Sequence, residues 1–154
     1  MPSKQLAEVN IARCKFPLES PEMKEFVDFL APVNQLAEES PGFIWRLVDE
    51  DGRSATEVET PFEDDMIIVN MSVWKDLDSL KDYIYNTVHS YFLKNRKKWF
   101  DKMETPYVAL WWVAEGHEST VEEAAEKLAL IEKYGSTAEA FTLREFYDAD
   151  GLKT

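Results

Sequence analysis

Tyr85, His89, Phe92, Arg96 and Trp99 recur at alternating spacings of four and three residues, which lines them up on one face of a helix. That face would carry a phenol, an imidazole and a guanidinium between large rings. An imidazole transfers protons near neutral pH or ligates a metal. A guanidinium grips a carboxylate or phosphate with its planar fork, and aromatic walls hold a flat ligand and exclude water. The competing reading is purely structural: a helix packed on a sheet, His89 hydrogen-bonded and Arg96 in an ion pair. The spacing alone leaves both open.

A second group lies on predicted strands. Trp45 and Arg46 are adjacent, so strand alternation sends them to opposite faces. Asn70 and Ser72 share a face, and Asn70 follows the apolar run Met66 to Val69. An amide on a covered face needs partners, and it orients either a ligand or a neighbouring backbone. Trp111 and Trp112 must likewise part to opposite faces, which is a packing pattern before it is a chemical one. Lys94, Arg96, Lys97, Lys98 and Lys102 make a basic island in an acidic chain, read first as a solvated helix face. Two histidines and one cysteine, far apart, form no metal-ligand set. There is no glycine-rich phosphate loop or nucleophile elbow. Cys14 carries no local sign of activation, and no acid/base pair stands out among the 30 acidic residues.

The elements that position these residues follow from periodicity. Leu6 to Arg13 is a strand, with Leu6, Glu8, Asn10 and Ala12 on one face and Ala7, Val9 and Ile11 on the other. Ser20 is the expected cap of a helix carrying Met23, Phe26, Val27, Leu30, Val33 and Ala37, with a kink or break at Pro32. Phe43 to Val48 is a second strand, followed by a turn at Asp51-Gly52 and a polar connection to Asp65. Met66 to Trp74 is a third strand, central in its sheet. Two helices with a bend near Thr87 to Ser90 span Asp76 to Trp99. Tyr107 to Val113 is the fourth strand. Thr120 and Glu123 form a capping box for a last helix with Val121, Ala124, Ala125, Leu128 and Ile131 inward and Gly135 at its end. A short strand is expected at Phe141 to Phe146.

This order predicts an α+β fold, a ferredoxin-like βαββαβ unit with an extra C-terminal helix, as one domain over residues 1–154. Helices on one face leave the other bare, and a second copy is the commonest cover, which predicts a homodimer built as a dimeric α/β barrel. The net charge of −13 repels polyanions, so neither nucleic acid nor an anionic membrane is an expected partner. One cysteine, no cationic-then-apolar opening and no long apolar run make the cytoplasm the expected compartment.

The stretches SPGFIWRL, IIVNMSVW and VHSYFLKNRKKWF, and LWWV followed by GH, together resemble a family of small bacterial proteins of unknown function placed with the dimeric α/β barrels. The likeness runs from about Leu6 to Phe141. NMSVWKDLDSLKDY is also similar to the strand-to-helix junction of antibiotic-biosynthesis monooxygenases. The resemblance implies a superfamily that spans cofactor-independent monooxygenases, haem-degrading enzymes, dye-decolorising peroxidases and stress-responsive proteins, and fold does not choose among them. It carries over no catalytic residue.

The expectation is therefore a small-molecule-binding protein, of cofactor-independent monooxygenase-like or isomerase-like type, acting on a largely apolar or aromatic ligand. His89 is the expected proton-transfer residue, Arg96 the anion contact and Asn70 the orienting amide. Trp45, Trp74, Tyr85, Phe92 and Trp99 are the expected wall. No metal or cofactor is called for. The alternatives are a haem-binding protein with His89 as ligand, and a non-enzymatic dimeric stress or interaction protein whose interior is filled.

Overall fold

A computed structural model describes residues 4–47, 66–86 and 95–154. Its strands are β1 (Lys4–Cys14), β2 (Phe43–Arg46), β3 (Ile67–Trp74), β4 (Phe100–Asp101) and β5 (Val108–Ala114). Its helices are α1 (Lys24–Glu39), α2 (Leu77–Asn86) and α3 (Val121–Tyr134). Residues 95–99 add a short helical segment. All strand pairs are antiparallel. β1 has β3 along one edge, and β5 followed by β4 along the other; β2 closes the far side of β3. The order β2-β3-β1-β5, with α1 and α2 as crossovers, is the ferredoxin-like βαββαβ arrangement. β3 is central, as its apolar run predicts.

Local chemistry explains two departures from expectation. Ser20 holds the cap position with Pro21 after it, but its hydroxyl donates to the Pro17 carbonyl at 2.6 Å instead of accepting from the first turn, and Pro21–Met23 form a 3₁₀ turn ahead of α1. Pro32 does not break α1, which runs through it. A proline leaves the carbonyl four residues back without its donor. Here that residue is Asp28, and both it and Pro32 are exposed, so water can take the carbonyl. The capping box of α3 forms as expected on its backbone side, with Glu123 N donating to Thr120 Oγ1 at 3.1 Å. Gly135, at φ 74°, ends the helix.

Alternation gives the sheet two unlike faces. Val9, Val69, Met71, Val73, Ala109 and Trp111 belong to one, in a single cluster with Val121, Ala124 and Leu128 of α3. The other face looks toward α1 and α2. It holds Leu6, Trp74 and Leu110 with Leu80, Phe141 and Phe146 at one end, and Cys14 with Met23, Phe26 and Trp99 at the other. The C-terminal segment joins the sheet by one bridge, Phe141 N and O pairing with Leu110 O and N at 2.9 and 2.8 Å. The strand expected at Phe141 to Phe146 is reduced to this bridge.

The α3-side face is the one left for a second copy by the sequence reading. Among the described residues its central positions, such as Ala7, Met71 and Val113, are at most 7% exposed, while Trp45 and Ile67 are only partly buried. The homodimer stands as a proposal. Sedimentation velocity at micromolar concentration separates the cases. The sequence reading expects a particle of twice the 17.9 kDa chain mass; a 17.9 kDa species would remove the homodimer.

Candidate functional site

Four residues form one row across the sheet on the α1/α2 side. Arg46 is opposite Ser72, Ser72 is opposite Glu8, and Glu8 is opposite Leu110. Asn70, Asn10 and Val108 form the next row. A bulge between Phe43 and Trp45 brings Arg46 into this register, since a bulge shifts alternation by one residue.

Above these rows the helices do not close onto the sheet. They leave a cavity of about 470 Å³, within the range of small-molecule sites. Glu8, Asn10, Asn70, Ser72 and Arg46 line its floor, and Phe26, Leu30 and Val33 of α1 with Leu80, Tyr83 and Ile84 of α2 line its roof. Leu143 of the C-terminal segment and Arg96, Asp101 and Tyr107 complete it. The lining is thus mainly apolar, with a few convergent polar groups. The space between sheet and helices is not filled.

Glu8 is the unusual member. It is buried, at 7% exposure, in the middle of the central strand pair. Asn10 Nδ2 donates to its Oε1 at 2.8 Å, and Ser72 Oγ makes a longer contact to Oε2 at 3.4 Å. Trp74 Nε1 in turn donates to Ser72 Oγ at 2.8 Å. Burial disfavours the ionised form and pushes the Glu8 carboxyl up from 4.5 to about 7; the hydrogen bonds from Asn10 and Ser72 pull the other way and only partly offset it. A carboxyl titrating at neutral pH in a cavity is a functional-site signature.

Its neighbours have settled protonation states. Tyr83 is pushed up to about 12 by burial first and by the negative charge of Glu8 second, with Arg46 opposing. It is therefore a neutral phenol at physiological pH, and its ring stacks on Trp74 with centroids 5.0 Å apart. Arg46 is anchored by its Nε to Glu38 Oε1 at 2.6 Å. Cys14 is pushed up to about 11 by burial, so it is an inert thiol, in keeping with its sequence context.

The residues singled out from sequence divide. Asn70, Tyr85 and Arg96 reach the cavity, and Ser72 joins them. The three tryptophans of the expected wall do not line it. Trp45 projects from the opposite face, packed on the α3-side cluster. Trp74 is fully buried between Phe43 and Tyr83. Trp99 is 1% exposed and packs on Phe26, 5.4 Å between centroids. In each case burial of a large ring in the core outweighs display to a ligand. His89 and Phe92 lie outside the described residues. Trp111 and Trp112 do face opposite ways, the first donating to Glu123 Oε2 at 2.9 Å and the second to the Tyr147 carbonyl at 3.0 Å. Among the described residues no group of three metal-ligating side chains occurs, and no helix is long and apolar enough to cross a membrane.

Glu8 and Asn10 were missed as site residues. The available signal was that two polar residues share a face of a strand read as alternating, as do Asn70 and Ser72 on another strand.

The linkage sign follows from the direction of the Glu8 shift. Its folded pKa lies above its unfolded one, so the folded state retains a proton that the unfolded chain loses as pH rises from 4.5 to about 7. Stability falls across that window, by roughly 3 kcal/mol in all. Glu8→Gln keeps the shape, accepts from Asn10 and donates to Ser72. It should match the wild type near pH 4 and be more stable by about 3 kcal/mol at pH 8. Urea unfolding followed by tryptophan fluorescence at the two pH values tests this. A variant less stable than wild type at pH 8 would mean that the ionised carboxyl is favoured in the fold.

The family described as Domain of unknown function (DUF3291) matches residues 5–154. No curated protein matches the chain in sequence. Among solved structures, a protein of unknown function from Nitrosomonas europaea is 12% identical, with 78% of this chain and 97% of that one covered and a TM-score of 0.49. SnoaB from Streptomyces nogalater, described as a cofactor-independent oxygenase, is 14% identical over 77% of this chain and 98% of its own, with a TM-score of 0.42. A dabb family protein with a ferredoxin-like fold from Mesorhizobium loti is 11% identical over 75% and 99%, with a TM-score of 0.43. At this distance none of the three bears on ligand or reaction.

Proposed function

Because the chain belongs to DUF3291, a family whose function is unassigned, its chemistry must come from its own cavity, and we propose that it binds a small, largely apolar molecule and moves a proton through Glu8. One observation carries this reading: a buried carboxyl, held by Asn10 and approached by Ser72, forms part of the floor of an otherwise largely apolar cavity. Each carboxylate oxygen has more than one acceptor position, so the contacts to Asn10 and Ser72 leave room for a ligand's proton. With a pKa of about 7, Glu8 is divided between base and acid at neutral pH, the condition for doing both jobs in one cycle.

The reaction class that fits is proton abstraction beside a carbonyl. The carboxylate takes a proton from the carbon, and the C–H electron pair moves into the carbonyl to give an enolate. Arg46 in the same row and Asn70 in the next carry donors suited to the enolate oxygen. Returning the proton from the Glu8 carboxylic acid to a different carbon completes an isomerisation. The same enolate is the species that meets dioxygen in a cofactor-independent monooxygenation, where a CH2 carbon gives up both hydrogens and becomes a carbonyl with one oxygen atom, and the other oxygen leaves with those hydrogens as water. The two continuations share the first step.

That step has a direct assay. The enolisable ketone 2-tetralone exchanges its C1 hydrogens with deuterium in D₂O, which proton NMR follows. The wild type should accelerate exchange by about 100-fold or more over buffer, with a rate that rises as Glu8 ionises through about pH 7. Glu8→Gln should fall to the buffer rate while remaining folded. Equal rates for the two proteins would remove Glu8 from the chemistry.

A further inference from the structure

The cavity has a second polar feature far from Glu8. Arg96, in the helical segment 95–99, lines it together with Tyr107, Phe100 and Asp101. The Arg96 guanidinium carbon lies 5.8 Å from the centroid of the Tyr107 ring. A cation over a ring face is attracted by it without its charge being cancelled. The in-plane N–H groups then remain available for a planar anion.

The surrounding carboxylates do not neutralise it. Asp101, the acid nearest in the lining, is paired with Arg13. Among the described residues Arg96 itself has no carboxylate within ion-pair distance, although the chain carries 30 acidic residues against 17 basic ones. Arg46, the other cavity cation, is already paired with Glu38. An arginine steadied by an aromatic ring, without a counter-ion among the described residues and opening into a cavity of an acidic protein, is suited to an incoming anion.

The two ends can be ranged against the sheet. The Tyr107 carbonyl accepts from Ile11 N at 2.9 Å. Tyr107, the residue beside Arg96, therefore meets β1 three residues from Glu8, about 10 Å along the strand. Between them the cavity is walled by side chains such as Leu30, Val33, Ile68 and Val108.

The geometry points to a substrate class: a flat apolar acid, with its anionic group on Arg96 and its reacting carbon about 10 Å away at Glu8. This rests on the reading of the cavity as a ligand site and adds the charge and length of the ligand. A molecule of that length is about the size of a two-ring aromatic with one carboxylate.

The test uses two probes of one shape, 2-naphthoate and 2-naphthamide, and calorimetric titration. The wild type should bind the acid at least about 10-fold more tightly than the amide, about 1.4 kcal/mol. Arg96→Ala should abolish that preference and leave naphthamide affinity unchanged, which a merely structural arginine would not do. Arg96→Lys should restore part of it, since the charge returns without the fork. Glu8→Gln should leave it intact. Equal wild-type affinity for the two probes overturns the anion end and leaves the proton-transfer reading standing. A preference that survives Arg96→Ala and disappears in Arg46→Ala puts the anion at the wrong end and equally overturns it. Failure of both probes to bind overturns the ligand-site reading along with it.

Discussion

Burial of the Glu8 carboxyl in the middle of the sheet is the constraint on which the site depends. β1 is paired along both edges, by β3 on one side and by β5 and β4 on the other, so its side chains have little freedom to move away from whatever lies above them. The register that puts Glu8 beside Ser72 also puts Asn10 beside Asn70. A slip of one residue would turn the carboxyl into the apolar α3-side face and bring Val9 to the cavity floor. That face is closely packed and offers nothing to a charge, so the slip is heavily penalised. The polar row and the apolar face thus hold each other in register.

Stability and chemistry pull in opposite directions at this row. A glutamate that titrates near neutral pH has lost much of its solvation, and the fold bears that cost whenever it ionises. The chain from Trp74 Nε1 to Ser72 Oγ, and on to the carboxyl that Asn10 also contacts, lessens the cost without removing it. Such partial satisfaction is typical of sites where a group must change protonation state rather than rest in one. Tyr83 and Cys14 show the contrast: burial moves each away from neutrality and fixes it in its neutral form.

The large rings around the cavity pack against one another, and Phe26, Tyr83 and Phe100 also line it. Trp74 stacks on Tyr83, Trp99 and Phe100 pack on Phe26, and Phe141 meets Phe146 edge-on at 4.9 Å. These clusters act as spacers at the two ends of the helix-side face. Smaller aliphatic side chains of α1 and α2 roof the middle. On the reverse face α3 packs on β5, and the buried apolar residues described there form one cluster.

The sequence by itself determined the order of most elements, the opposed faces of Trp45 and Arg46, and the shared face of Asn70 and Ser72. These depend on local periodicity, capping and turn chemistry, which act between near neighbours in the chain. It also marked Arg96, a cation whose spacing placed it on a helix face. Only the tertiary structure decided which aromatic residues are core and which face is open. Trp74 and Trp99 have the composition of a ligand wall, but whether a ring meets a ligand or another ring depends on partners such as Tyr83 and Phe26 that are distant in sequence. Glu8 is the clearest case. In an acidic chain one more glutamate carries no signal, and its special character arises because antiparallel pairing with two strands distant in sequence removes it from water.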